Sequence, residues 1–346
     1  MYPALAIAHA IRLEWPEAKI LFVGALGKIE MDKVPAHGFP IKGLWIAGFQ
    51  RGQLRRNILF GVKLLWSLLH SLFILLGHRP HMAIGTGGFA SGPLLFMAQL
   101  FGVKTLVQEQ NSYPGVTNRF LGKKANIVSV AYSRMDRFFA TEKVKFTGNP
   151  IRKSVLHLPE ANAALKQKLG LDPDRPVLLM LGGSLGARKL NELMASHHES
   201  FLACGYQIIW QCGQLYRDTY FSMQKEGLKI VDFISQMDEV YAVSDVIISR
   251  AGAGTLSELS CVGKPAILIP SINVAENHQY KNALAFEEHQ AAVLIQESEA
   301  DEVFESQVCQ LLNDAQRQLH MGQNMKSLAK PEATETIVEY IKGLLP

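Results

Sequence analysis

Three times along this chain a short apolar run ends in a cluster of glycines and passes directly into a helical pattern. The first is Met82-Ala-Ile-Gly-Thr-Gly-Gly-Phe-Ala-Ser-Gly-Pro93 and the second Pro176-Val-Leu-Leu-Met-Leu-Gly-Gly-Ser-Leu-Gly-Ala187. The third is Asp245-Val-Ile-Ile-Ser249 followed by Arg250-Ala-Gly-Ala-Gly-Thr-Leu-Ser-Glu-Leu259. Such runs, bounded by turn residues, read as buried strands. After the second, Leu190, Leu193 and Met194 fall at helical spacing; after the third, Leu256, Leu259 and Val262 do, with Ser257 and Glu258 on the other side. Further strand patterns occur at Lys19–Gly24, Gly102–Gln108, Tyr206–Gln211, Leu228–Ile234 and Pro265–Pro270. Strand alternating with helix means a parallel sheet. A chain of 346 residues is long for one core. The expectation is an α/β protein of two facing Rossmann-like domains with a cleft between them. Residues 1–150, with 332–346 packing back, form one and residues 151–331 the other, with Phe146-Thr-Gly-Asn-Pro-Ile-Arg152 at the boundary.

The glycine turns suggest the chemistry. In the third, Gly252 and Gly254 remove side chains where the turn is tightest and leave backbone N–H groups at a helix start. That end carries roughly half a positive charge and suits a phosphate. Glu258, one turn in, could accept two hydrogen bonds from a vicinal diol such as a ribose, and phosphate plus diol means nucleotide. An ordinary strand-to-helix turn with a solvated Glu258 would look the same. In the first turn Gly85, Gly87, Gly88 and Gly92 permit close approach to an anion, and Thr86 and Ser91 add hydroxyls. Neither a Walker pattern nor G-x-G-x-x-G with an acidic ribose partner is matched. Gln108, Gln110, Asn111 and Asn118 lie at or just beyond a strand's C-terminal end, where open α/β sheets bind ligands. Each alone is more often a turn cap than a ligand contact, but as a group beside a glycine turn they favour a ligand site.

Composition excludes more than it selects. The net charge of +4 is too weak to argue for nucleic acid. Cys204, Cys212, Cys261 and Cys309 show no metal-ligand spacing and read as reduced core residues. Asp172-Pro-Asp174 resembles an Asp-x-Asp metal motif, but Pro173 and the following Arg175-Pro176 make a plain turn the better reading. No cofactor and no protein-held metal are expected.

The stretch Ile58–Gly77, ILFGVKLLWSLLHSLFILLG, has the length of a membrane span, but Lys63 and His70 lie inside it. Leu59, Val62, Trp66, Leu69, Phe73 and Leu76 line one helical face, with Arg51, Arg55, Arg56, Lys63, His78 and Arg79 around it. A basic amphipathic helix lying on an anionic membrane surface fits better than a span or a greasy core helix.

The segments GTGGFASGP, EQNSYPGVTN, TGNPIR, GGSLGA, RAGAGTLSE and NHQYKNA, in this order, resemble those of the bacterial peptidoglycan N-acetylglucosaminyltransferases, and the likeness covers essentially the whole chain. The resemblance implies the glycosyltransferase-B fold. It implies transfer of GlcNAc from UDP-GlcNAc to lipid I, giving lipid II, with inversion and without a metal. It implies a peripheral location at the cytoplasmic face of the inner membrane, with other cell-wall synthesis proteins as further partners. By position, Arg152, Ser184, Ile234, Ala253, Gly254, Thr255, Leu256, Ser257, Glu258, Gln279 and Asn282 would contact the donor, and Asn111 the substrate. Gly85, Thr86, Gly87, Gly88 and Ser91 would receive the acceptor diphosphate.

Two departures qualify the likeness. Gln108 stands where the family usually has His. The family also opens with a strand and glycine turn ending in the His proposed as general base, which would lie ahead of Met1. No catalytic residue is therefore assigned. The chain as written is expected to lack a central strand and to be impaired, a start placed too late or a shortened chain being the preferred explanation. A UDP-GlcNAc 2-epimerase, a transferase for another acceptor and a non-catalytic nucleotide-sugar-binding protein are the alternatives.

Overall fold

A computed structural model of the chain describes residues 1–48, 59–274 and 277–345. It comprises two compact units, Met1–Ile151 with Glu332–Pro346, and Arg152–Pro331. In the first, α1 (Tyr2–Glu14) carries Pro3 in its opening turn, where a missing N–H breaks no helical bond. β1 (Phe22–Ala25), α2 (Glu30–Ala36) and β2 (Ile41–Leu44) follow, β1 and β2 forming a parallel pair. Then come α3 (Phe60–His78), β3 (Met82–Gly85), α4 (Ser91–Leu100), β4 (Lys104–Glu109), α5 (Val116–Gly122), β5 (Ile127–Val130) and β6 (Val144–Phe146). β3 to β6 form a parallel sheet in chain order, and among the described residues β1 is not bonded to β3.

Successive side chains of a strand point to opposite faces, so a strand covered on both sides reads as a continuous apolar run. In β4, Leu106 packs with Ile7 of α1 and with Ile337 and Ile341 of the chain's last helix, Ala333–Lys342, while Val107 packs with Leu95 and Leu121. All are nearly inaccessible. Lys342 of that helix also pairs with Glu14 at 2.8 Å.

Helix α3 is built inside out. It buries Ser67 and Ser71 beside Ile74 and Leu75, and Ser67 donates to the Trp45 carbonyl at 3.1 Å. Leu59 at its N-cap, Val62, Leu65, Trp66, Leu69, Phe73 and Leu76 are 47–69% exposed. The apolar face expected from the periodicity is therefore the outer one. Arg51, Arg55, Arg56 and Ile58 lie outside the described residues.

The second unit contains α6 (Lys153–Leu156), α7 (Ala163–Lys168), β7 (Val177–Leu181), α8 (Arg188–Ala203), β8 (Gln207–Gln211), α9 (Arg217–Tyr220), β9 (Leu228–Val231) and α10 (Met237–Val243). It continues with β10 (Val246–Ser249), α11 (Ala253–Val262), β11 (Ala266–Leu268), α12 (His278–Glu287), β12 (Ala292–Leu294), α13 (Ala300–Leu312) and α14 (Ala315–Ser327). Its six parallel strands are ordered β12-β11-β10-β7-β8-β9. From β7 the chain winds outward through β8 and β9, then returns to lay β10 on the other side of β7. That reversal is the topological switch point at which doubly wound sheets bind ligands. Ser249 pairs with Leu181, so β7 and β10 end level and their glycine turns emerge side by side.

Two of the four cysteines depart from the core reading. Cys212 and Cys261 are buried, but Cys204 at the end of α8 and Cys309 on α13 are only partly so, their sulfurs 3.6 Å apart. Asp172 caps its own turn by accepting the Asp174 N–H at 2.9 Å.

Candidate functional site

The two turns at the switch point lead into α8 and α11, neither of which has a side-chain cap at its N-terminus. The first N–H groups of a helix have no intrahelical partner, so both starts offer donors at the positive end of a helix. In the α8 turn, Gly183 and Gly186 adopt φ of +79° and +91°. A Cβ on Gly182 would lie 2.5 Å from the Gln211 carbonyl, so this turn excludes side chains by contact as well as by φ. Ser184 stands exposed at its tip, its carbonyl accepting the Gln214 N–H at 3.1 Å.

The α11 turn differs from expectation. Gly252 is an ordinary N-cap at φ −69°, and Gly254 lies in the first helical turn, where a Cβ would meet nothing within 4 Å. Neither glycine relieves a tight turn; what Gly254 leaves is open, exposed backbone. The turn is held from behind. Arg250 donates through Nη1 to the Ile269 carbonyl at 2.9 Å and to Glu297 at 2.5 Å, and Asn282 donates to the Ala251 carbonyl at 3.4 Å.

Along α11, Ala253 and Leu256 are buried and anchor the helix, Thr255 is half-buried, and Ser257 turns its hydroxyl onto the Ala253 carbonyl. Glu258 is far from solvated, its side chain being 13% exposed. Arg152 donates to it from Nε and Nη2, both at 2.7 Å, and the Tyr241 hydroxyl donates to Oε2 at 3.2 Å. Arg152 immediately precedes α6 and Tyr241 lies on α10; Tyr241 was not legible as a partner in the sequence. Burial first, then the charge of Glu258, pushes the Tyr241 phenol well up from its ordinary range.

The remaining residues expected to contact the donor have structural tasks. Ile234 is a buried core residue, 6% exposed. Gln279 accepts the Ser271 N–H at 2.9 Å, and Asn282 is fully buried behind the turn that it braces.

In the first unit, the turn after β3 puts Gly87 and Gly88 at φ +84° with open space around them. Gly85 is different: a Cβ there would meet Leu95 at 2.6 Å, so this glycine serves core packing. Ser91 donates to the Gly87 carbonyl at 2.6 Å, and Gln110 donates to the Thr86 carbonyl at 2.7 Å. Gly87→Ala therefore brings backbone strain without a clash, an expected loss of roughly 1–2 kcal/mol on a denaturant curve.

At the end of β4 stands the organising residue, Glu109, whose role was not legible in the sequence. This residue is 2% exposed, and its carboxylate accepts four N–H groups. These are the Asn111 backbone (3.0 Å) and side chain (3.2 Å), the Gly115 backbone (3.2 Å) and the Asn118 side chain (2.8 Å). Asn111 is thus clamped to the strand that precedes it. Gln108 is fully buried and donates to Asn149 at 2.8 Å, while Asn149 donates to the Gln110 carbonyl at 3.0 Å. The EQN and TGN segments are parts of one bonded cluster. Their presence as short polar motifs was the available signal; the pairing was not.

Comparison with known proteins identifies the family. The glycosyltransferase family 28 N-terminal domain matches residues 1–130, and the family's C-terminal domain matches residues 177–337. A UDP-N-acetylglucosamine–N-acetylmuramyl-(pentapeptide) pyrophosphoryl-undecaprenol N-acetylglucosamine transferase from Flavobacterium psychrophilum is 48% identical over 346 residues, covering 100% of this chain and 94% of that one. Its counterpart in Christiangramia forsetii is 47% identical over 345 residues, with coverage of 100% and 94%. The crystal structure of Acinetobacter baumannii MurG is similar at a TM-score of 0.79 and 26% identity, over 99% of this chain and 95% of that one. The chain is therefore a glycosyltransferase of family 28 and belongs to the UDP-N-acetylglucosamine–N-acetylmuramyl-(pentapeptide) pyrophosphoryl-undecaprenol N-acetylglucosamine transferases.

Proposed function

We propose that this chain transfers N-acetylglucosamine from its UDP carrier to lipid I, the undecaprenyl-pyrophosphoryl N-acetylmuramyl-pentapeptide, with inversion at the anomeric carbon, in peptidoglycan synthesis. The relatives are named for this transfer. The observation that carries the donor reading is Glu258, a carboxylate held 13% exposed on α11, just beyond that helix's uncapped start. A diphosphate at the starts of α8 and α11 and a ribose diol on Glu258 account for both features.

In the reaction the acceptor hydroxyl attacks the anomeric carbon on the face opposite the diphosphate and releases its proton to solvent. The bond to the leaving UDP breaks, and negative charge grows on its terminal phosphate. Fixed N–H donors aimed there stabilise the transition state more than the ground state. Gly87 and Gly88 supply the corresponding open backbone for the acceptor's diphosphate, with Ser91 holding the shape of that turn.

Helix α3 would bring the enzyme to its substrate at the cytoplasmic membrane face. An exposed apolar stripe of this size, with Lys63, His78 and Arg79 beside it, suits the interface of an anionic bilayer. A double variant, Trp66→Glu with Phe73→Glu, is expected to cut co-sedimentation with phosphatidylglycerol vesicles by roughly tenfold or more. Turnover of a short-chain, water-soluble lipid I analogue should be kept. Unchanged vesicle binding would remove α3 from the membrane contact.

The test of the whole proposal is incubation with UDP-GlcNAc and a lipid I analogue. The expected product carries a β-linked GlcNAc. Release of N-acetylmannosamine without any acceptor would instead identify an epimerase.

A further inference from the structure

We infer that Tyr241 is a positioning residue for the nucleotide, holding the Glu258 carboxylate in the one orientation that leaves an edge for the ribose. The inference rests on the donor reading given above.

A carboxylate has about four acceptor positions, two on each oxygen. In Glu258, Oε1 takes one N–H from Arg152, while Oε2 takes the second Arg152 N–H and the Tyr241 hydroxyl. Three positions are thus occupied, and the remaining one is on Oε1. A diol that donates twice needs a second position, which must come from one of the three donors already present.

The donors differ in how easily they yield. The Arg152 side chain is 44% exposed, so water can replace its bonds at little cost. Tyr241 is 1% exposed within α10, beside the buried residues that fix that helix, Val240, Ala242 and Val243. Its hydroxyl has no route to water, and withdrawing it would leave a buried donor unmet. The arriving ribose therefore displaces the Arg152 Nε bond on Oε1, and the Tyr241 bond on Oε2 persists. From then on Tyr241 is the buried donor on Oε2 that fixes the rotation of the carboxylate and keeps Oε1 turned outward. Because the phenol stays protonated throughout the working range, it is always a donor.

Calorimetry with two nucleotides isolates this role. UDP and 2′,3′-dideoxy-UDP are titrated into wild type, Tyr241→Phe and Glu258→Gln. The expected result is that Tyr241→Phe weakens UDP binding about five- to tenfold and leaves dideoxy-UDP binding unchanged. The KM for UDP-GlcNAc should rise by a similar factor while kcat stays within about twofold. A purely structural role would weaken both nucleotides together, and that outcome overturns the inference, as does full retention of UDP affinity. The ratio of two affinities on one sample does not depend on how much of it is folded. If wild type binds both nucleotides equally, the ribose reading of Glu258 fails, and this inference fails with it. If wild type and Glu258→Gln differ as expected but Tyr241→Phe matches wild type, only the role of Tyr241 is refuted.

Discussion

Glu258→Gln weakens UDP binding by about 30- to 100-fold while moving the melting temperature little. The change keeps the shape of the side chain and removes its charge. A ribose hydroxyl bonded to a carboxylate makes a charge-assisted contact, of the kind that contributes roughly 1.5–3 kcal/mol. At about 1.4 kcal/mol per decade, the loss of one such contact and the weakening of a second give the stated range. Stability should respond little, because the glutamine oxygen can still accept from the buried Tyr241 hydroxyl and the 44% exposed Arg152 can turn to water. Isothermal titration with UDP, alongside a thermal melt, checks both parts. Retained affinity would mean that the diol binds elsewhere, and the donor reading would have to be rebuilt.

Glu109→Gln has the opposite profile, with a large loss of stability from a change of one atom. All four acceptor positions of this buried carboxylate are filled by N–H groups. An amide presents its NH₂ to two of them, whichever way it is turned. Two buried donors are left facing a third, at about 1–3 kcal/mol each. The expected loss is about 3–5 kcal/mol, or roughly 6–15 °C in melting temperature for a unit of this size. A melt within about 2 °C of wild type would show that the loop after β4 does not depend on this carboxylate. The same saturation bears on mechanism. Every acceptor position of Glu109 is turned to its own loop, so it acts as a brace. Activity lost in Glu109→Gln should therefore follow the unfolded fraction as temperature is raised.

The alternation of strand and helix was legible because buried parallel strands are continuous apolar runs and their helices keep a stripe of leucines. Strands β5, β6 and β12 were not: each spans three or four residues, and none ends in the glycine cluster or proline bracket that marked equally short strands such as β3, β10 and β11. The glycine turns were legible as turns, yet their reasons were not. Gly183 and Gly186 need positive φ, Gly85 makes room for Leu95, and Gly254 only leaves space. The letter is the same in each case, and the surrounding chain decides what it is for.

Helix α3 shows the same division. Its periodicity defined an apolar face, but amphipathicity has no sign. A stripe of Trp66, Phe73 and Leu76 reads identically whether it faces a core or the outside, and packing within the unit put Ser67 and Ser71 inward.

From the order of residues alone followed whatever depends on neighbours along the chain: strands, turns, glycine-led helix starts and the resemblance carried by six short motifs. Folding decided whatever depends on residues distant in sequence. Arg152 reaches Glu258 across 106 positions, Tyr241 reaches it across 17, and Asn149 meets Gln108 across 41. Hydrogen-bond partners of this kind are selected by the packing of helices on a sheet, which brings together side chains that no local pattern pairs.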